Sequence, residues 1–153
     1  GEVVVIDNMG LENCTCWGGI LTQFASKKGL AGTVIDGVHR DTDAIRSTDY
    51  PVFSRGAFMV TGKGRTRLKA VNVPLEIRGV HIAPGDFLFG DEHGVVVIPA
   101  GILKDVAERA QETRAVESEI LDLILHKGVT LKAAREQLGY NELTRPGARL
   151  RGS

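Results

Sequence analysis

The residues with the most chemical potential in this sequence are Arg40 and Asp41, adjacent at the end of the stretch GTVIDGVHRD from Gly32 to Asp41. A guanidinium can fix a planar carboxylate through paired hydrogen bonds, and a neighbouring aspartate can hold a hard divalent cation. Together they suit a small anionic substrate that also chelates a metal. A surface ion pair, or an aspartate that merely opens a helix, fits the two residues equally well. The preceding residues add position to this chemistry. Thr33, Val34 and Ile35 predict a short strand that stops at the turn-forming Asp36-Gly37. Arg40 and Asp41 then fall beyond the carboxyl end of a strand, where ligands collect in open α/β sheets.

The remaining polar motifs carry less. GKGR (Gly62, Lys63, Gly64, Arg65) lacks the GxxxxGK[ST] spacing of a phosphate loop and is expected to be a flexible basic loop. The opening VVVIDNMG lacks the glycine fingerprint of dinucleotide folds. His39, His81, His93 and His126 show no helical pairing of the metalloprotease kind and are expected as ordinary surface or core residues. Asp86, after Pro84-Gly85, and Asp91, before Glu92-His93-Gly94, are expected to stabilise turns. Asp43 suits the first turn of a helix.

The elements that must position Arg40 and Asp41 follow from periodicity. A strand is expected over Glu2–Asp7, then a helix over Ile20–Lys28 between Gly18-Gly19 and Gly29. Ile20, Leu21, Phe24 and Ala25 would share its sheet-facing side. A short helix is expected in DTDAIRS, a strand in PVFSRG after Pro51, and further strands in RLKAVNV, EIRGVHI, DFLFG and GVVVIP. Past Pro99, Ile102, Val106, Ala110, Val116, Ile120 and Ile124 recur at helical steps. A continuous helix to Lys127 would be roughly 40 Å long, enough to reach a neighbouring subunit. VTLKAAREQLGY looks like the first helix of a helix-turn-helix, but NELTRPGARLRGS after it is too short and broken for a recognition helix.

Composition bounds the class. The 153 residues, 42% hydrophobic, can bury one ordinary core. Lys plus Arg and Asp plus Glu number 19 each, so no basic face is forced and no nucleic-acid partner is expected. The apolar runs are too short for a bilayer span, and no membrane partner is expected. Cys14 and Cys16, one residue apart, disfavour a mutual disulfide, and the expected compartment is the cytoplasm.

Taken in order, WGGILTQFASKKGLAGTVIDGVHRDTDAIRS, PVFSRG and GVHIAPGDFLFGDEHGVVVIP resemble the RraA-like family, which includes the regulator of ribonuclease activity A and the 4-hydroxy-4-methyl-2-oxoglutarate aldolases. The likeness covers Glu2 to about Gly128. It implies an α/β fold, a layered β/β/α swivelling-type domain over 1–128 with a long C-terminal helix, followed by a C-terminal helix and tail over 129–153. It also implies assembly as a homotrimer or homohexamer with sites between subunits. The family's N-terminal segment has no counterpart here, so the chain is expected to lack it.

For chemistry, the resemblance implies a divalent-metal-dependent aldolase or decarboxylase, a carbon–carbon lyase that acts on pyruvate-containing 2-oxo acids through a metal-stabilised pyruvate enolate. Arg40 would contact the pyruvate portion, and Asp41 would anchor Mg²⁺ or Mn²⁺ largely through waters. The backbone amides of Ile20 and Leu21, after Gly19, would receive the substrate carboxylate, as the start of a helix permits. Glu117 falls nearest a glutamate that an adjacent subunit supplies. One departure stands out: the aldolases carry an aspartate at the position of Gly19. Retro-aldol cleavage needs a base for the substrate hydroxyl, whereas decarboxylation of oxaloacetate does not. The alternative is a non-catalytic regulator that binds a ribonuclease or another protein; the pure regulators lack the aspartate that Asp41 provides here.

Overall fold

The β-branched run Val3–Val5 opens a 15-residue strand, β1 (Val3–Trp17), in the computed structural model, which describes residues 1–145 and 147. The chain divides into two compact units, Gly1–Pro99 and Ala100–Ser153.

In the first unit, helix α1 (Gly19–Lys27) carries the chain from β1 to β2 (Gly32–His39). Helix α2 (Thr42–Arg46) then leads to β3 (Val52–Ala57). The strands form a parallel sheet in the order β1-β2-β3. β1 is longer than the expected Glu2–Asp7 because its second half bulges. The pairing jumps from Asp7 opposite Asp36 to Leu11 opposite Gly37, and Met9 and Gly10 take left-handed backbone angles in the bulge. β2 also differs from expectation, running through Asp36-Gly37 to His39. Arg55 on β3 accounts for this: its Nε and Nη2 each lie 2.7 Å from Asp36 Oδ1, so the carboxylate is drawn to a neighbouring strand instead of capping a turn.

Trp17, Ala25, Ile35, Ile45 and Tyr50 form the core of this unit, with Val4, Ile6, Leu30 and Val52 packed against them. Full burial of a side chain such as Ile35 contributes about 1.5–3 kcal/mol. Two polar pairs lie inside the core: Trp17 Nε1 donates to Thr22 Oγ1 at 2.8 Å, and the Thr33 and Tyr50 hydroxyls share a 2.9 Å bond. Of the expected side of α1 only Ala25 is buried. Gly19, Thr22 and Ala25 face inward, while Ile20, Leu21 and Phe24 are exposed, Ile20 at 82%. Small side chains let the helix lie close to the sheet, and Thr22 can sit inside because its hydroxyl bonds both Trp17 and the Gly18 carbonyl.

Two hairpins complete the unit, β4 (Leu75–Ile77) with β5 (Val80–Ile82), and β6 (Phe87–Asp91) with β7 (Gly94–Ile98). EIRGVHI is thus two strands about a turn at Arg78-Gly79, both at positive φ as a tight hairpin requires. RLKAVNV forms no strand; Leu68 and Val71 are exposed, and Asn72 is left-handed. Its alternating pattern finds no neighbouring strand to pair with, and strand formation depends on that context.

In the second unit a short 3-10 turn, Ala100–Ile102, leads into the 25-residue helix α3 (Leu103–Lys127), about 37 Å long. Gly128, left-handed at φ 66°, ends it. Thr130 caps α4 (Leu131–Gln137), and α5 (Tyr140–Leu143) follows. Val116, Ile120 and Leu123 of α3 pack with Ala134 and Leu143. Of the expected helical stripe, Val116 and Ile120 are buried, whereas Ile102 and Ala110 are exposed. The expected break at Pro146 and the tail from residue 148 lie outside the described residues. No described helix is long and apolar enough to cross a membrane.

Candidate active site

β2 delivers Arg40 and Asp41 at its carboxyl end. The backbone there is held on three sides: Arg40 N–H donates to the Trp17 carbonyl at 3.1 Å, Phe58 N–H to the His39 carbonyl at 2.8 Å, and Ile45 N–H to the Asp41 carbonyl at 3.0 Å. Asp41 adopts a left-handed conformation, φ 60° and ψ 44°, which aspartate visits more readily than most residues. This bend turns its carboxylate back to the start of α1, where Oδ2 accepts the Gly19 N–H at 3.0 Å. Arg40 Nε lies 3.7 Å from the same oxygen, and the two side chains remain 42% and 43% exposed.

The glycine pair is required by this approach. A β-carbon on Gly18 would stand 2.8 Å from Asp41 Oδ2 and 3.1 Å from Arg40 Cγ. One on Gly19 would stand 2.9 Å from Ala44 Cβ and 3.3 Å from Asp41 Cβ. The helix therefore begins against the Arg40–Asp41 turn, with the amides of Ile20 and Leu21 in its first turn.

Arg40, Asp41, Gly18, Ile20 and Leu21 line a cavity of about 240 Å³, below the usual range for drug-sized ligands and suited to a small metabolite. Thr15, Cys16 and Trp17 of β1 line it as well. A further wall comes from the loop expected to be flexible, through Thr61, Gly62, Lys63 and Thr66. That loop is tethered. Thr15 N–H donates to the Val60 carbonyl at 2.9 Å, Thr15 bridges Thr61, and the amides of Arg65 and Thr66 both reach the Gly62 carbonyl at 2.8 Å. A β-carbon on Gly62 would fall 2.2 Å from the Thr15 carbonyl oxygen, so only glycine fits. Nothing local signals this, because Thr15 lies far away in sequence.

The other acids make local contacts of their own. Asp43 occupies the first turn of α2. Asp86 accepts the Ala83 amide, and Asp91 accepts the His93 amide, both at 2.8 Å, as turn acids do. Glu117, on α3 in the second unit, accepts a 2.7 Å hydrogen bond from the Tyr140 hydroxyl, which holds the Tyr140 phenol above its usual range.

His39, expected as an ordinary residue, is bonded at both ring nitrogens: Nδ1 with Ser54 Oγ at 2.8 Å and Nε2 with Thr42 Oγ1 at 3.1 Å. Burial pushes it below the usual histidine range; a hydrogen bond with the Gly56 backbone opposes this, and the charge of Arg46 adds to it. Burial raises the Cys16 thiol. Cys14 and Cys16 are both free.

No cluster of three or more metal-ligating side chains occurs among the described residues. Asp41 fits a different coordination style. Gly19 occupies Oδ2, leaving Oδ1 with no protein partner among the described residues, and Asp41 borders the cavity. Mg²⁺ commonly retains several waters and takes one or two carboxylates, so this donor set suits a hydrated divalent cation.

Residues 1–97 match the family model RraA-like, described as Aldolase/RraA. The chain belongs to the RraA-like family. Among the relatives, protein DlpA of Legionella pneumophila is 44% identical over 141 residues, 92% of this chain and 23% of that protein. A 4-hydroxy-4-methyl-2-oxoglutarate aldolase of Thermus thermophilus is 35% identical over 103 residues, covering 65% of this chain and 60% of its own length. The chain thus spans less than two thirds of either relative. A crystal structure of an uncharacterized protein from Pseudomonas syringae pv. tomato superposes with a TM-score of 0.84 at 47% identity, covering 88% of this chain and 67% of that one. The RraA-like fold seen here is mixed α/β with a long C-terminal helix.

Proposed function

We propose that this chain forms the catalytic part of a divalent-metal-dependent carbon–carbon lyase that releases pyruvate from 2-oxo acids. The observation that carries this reading is the shared cavity of Arg40, Asp41 and the first turn of α1. The amides of Ile20 and Leu21 and the positive end of the helix receive the substrate carboxylate. Arg40 donates to the 2-oxo oxygen, and its charge stabilises that oxygen as the carbon–carbon bond breaks and the electron pair moves into a pyruvate enolate. Asp41 would hold Mg²⁺ or Mn²⁺ through one carboxylate oxygen, and the ion when bound supplies Lewis acidity to the same developing charge. Lys63, on another wall, adds a cation suited to a second carboxylate.

Within this reading, oxaloacetate decarboxylation is favoured over aldol cleavage. Decarboxylation releases CO₂ and needs no base; the enolate left behind then takes a proton from water to give pyruvate. Position 19, where family aldolases place an aspartate, is packed against Ala44 and Asp41 here, with no room for a side chain. A base for aldol cleavage would then come from elsewhere, with Glu117 of a neighbouring subunit the candidate. Assembly as a homotrimer or homohexamer belongs to the same reading and accords with exposed Ile20, Phe24 and Phe89. Two unbridged thiols accord with a reducing cytoplasm.

The second reading, a non-catalytic regulator of a ribonuclease or another protein, draws on the same exposed apolar residues and on the pairing of aldolase and RraA in the family description. A substrate panel separates them. Oxaloacetate and 4-hydroxy-4-methyl-2-oxoglutarate are supplied with Mg²⁺, and pyruvate is followed above the metal-only background. Release that excess chelator abolishes supports the lyase. No release from any 2-oxo acid leaves the regulator.

A further inference from the structure

Asp41 reaches the Gly19 amide from an uncommon backbone conformation, so something must hold the turn that aims it. The helix it precedes spans five residues and offers no side-chain cap at Asp41. What brackets the turn is His39. Its imidazole leaves the last residue of β2 and bonds Ser54 on β3 on one side and Thr42, the first residue of α2, on the other. Arg40 and Asp41 are the two residues enclosed between His39 and Thr42.

The hydrogen bonds around Ser54 favour one tautomer of His39. Ser54 Oγ donates to the Gly56 carbonyl at 3.1 Å and accepts the Gly56 amide at 3.3 Å. With that proton placed on the Gly56 carbonyl, Ser54 Oγ is an acceptor for the Nδ1–H of His39, which the Gly56 backbone also draws. Nε2 is left as an acceptor, satisfied by the Thr42 hydroxyl. Ser54 is thereby fixed to its own strand, and the imidazole transmits that fixed point across the turn to α2. His39, Thr42 and Ser54 are all half-buried, which limits competition from water for these bonds.

We infer that His39 is a positioning residue: by tying Ser54 to Thr42 it holds the Arg40–Asp41 turn so that the Asp41 carboxylate stays on the Gly19 amide. Its catalytic value rests on the lyase reading above, but the positioning itself is measurable without activity. The test uses ¹⁵N-labelled protein with no metal added, comparing wild type with Thr42→Val and Thr42→Ser. Valine keeps the shape of threonine but cannot donate to Nε2, while serine can. Removing one such bond corresponds to roughly a 3- to 10-fold weakening. The expected result is a shifted Gly19 amide signal exchanging about that much faster in Thr42→Val. Thr42→Ser restores it, and the Trp17 indole signal, bonded to Thr22 in the core, does not move.

An unchanged Gly19 amide in Thr42→Val overturns the inference. So does a Gly19 change accompanied by an equal change at the Trp17 indole, since that is general loosening. Absence of pyruvate release from the wild type would sink the lyase reading and leave the Gly19 result to decide the positioning on its own. In a chain that does release pyruvate, Thr42→Val lowers kcat more than it raises KM.

Discussion

Replacing Gly19 with the aspartate that family aldolases carry tests the packing and the chemistry together. A β-carbon at this position would lie 2.9 Å from Ala44 Cβ, nearly 1 Å inside ordinary carbon–carbon contact at about 3.5–4.0 Å, and 3.3 Å from Asp41 Cβ. Ala44 has no flexible end to swing away, so α2 itself must shift. Overpacking of this kind costs about 1–3 kcal/mol. For a chain of this length, a 2 kcal/mol loss lowers Tm by roughly 4–8 °C. Removing the obstructing methyl with Ala44→Gly costs about 1 kcal/mol in helix propensity. The Gly19→Asp/Ala44→Gly pair should therefore be more stable than the sum of its parts, with a coupling of about 0.5–3 kcal/mol. Urea midpoints for wild type, the two single variants and the double variant supply the cycle. The same four proteins are assayed on oxaloacetate and on 4-hydroxy-4-methyl-2-oxoglutarate. The double variant should gain aldol cleavage relative to decarboxylation, since it alone seats an acid beside Asp41 without displacing it. Additive stabilities would refute the packing argument. A wild type that cleaves 4-hydroxy-4-methyl-2-oxoglutarate as fast as it decarboxylates oxaloacetate would refute the need for an acid at position 19.

Three further perturbations have definite expectations. Gly62→Ala drives a β-carbon to within 2.2 Å of the Thr15 carbonyl, so the 61–66 loop must leave β1; KM should rise with a fall in Tm, and an unchanged KM would show that this wall is not part of the substrate site. Tyr50→Phe strands the Thr33 hydroxyl, which is fully buried, and should cost about 1–3 kcal/mol by urea denaturation; a neutral result would mean that Thr33 finds another partner. His39 binds its proton less readily folded than unfolded, so the unfolded chain is protonated first as pH falls past about 6.5. Its contribution to stability is therefore intact above that pH and is lost on acidification toward the lower folded value; His39→Asn should flatten Tm over this range, and a slope that persists would assign the effect to other groups.

How much of this was legible in the sequence depended on whether the deciding contact was local. β3, α2 and the termination of α1 near Gly29 follow from short-range patterns, and the turn roles of Asp86 and Asp91 follow from their immediate neighbours. The inward side of α1 followed only in part, because apolar periodicity selects Ile20, Leu21, Phe24 and Ala25 whereas close packing buries Gly19, Thr22 and Ala25. Asp36-Gly37 reads as a turn until Arg55 of another strand is present to hold the carboxylate. The cavity wall at Gly62–Thr66 was invisible for the same reason, since its anchor is Thr15. Arg40 and Asp41 could be singled out as candidates from sequence, but the left-handed turn and the Gly19 amide that orient Asp41 needed the fold.

In the proposed lyase, Arg40 and Asp41 act together on a 2-oxo acid in the cavity at the end of β2. The most direct measurement is the Mg²⁺-supported rate of pyruvate formation from oxaloacetate, above the metal-only background, in wild type, Arg40→Ala and Asp41→Asn. The account predicts a loss of about 100- to 1,000-fold for Arg40→Ala, and a loss in Asp41→Asn that excess Mg²⁺ partly recovers. Undiminished pyruvate formation in both variants would contradict it.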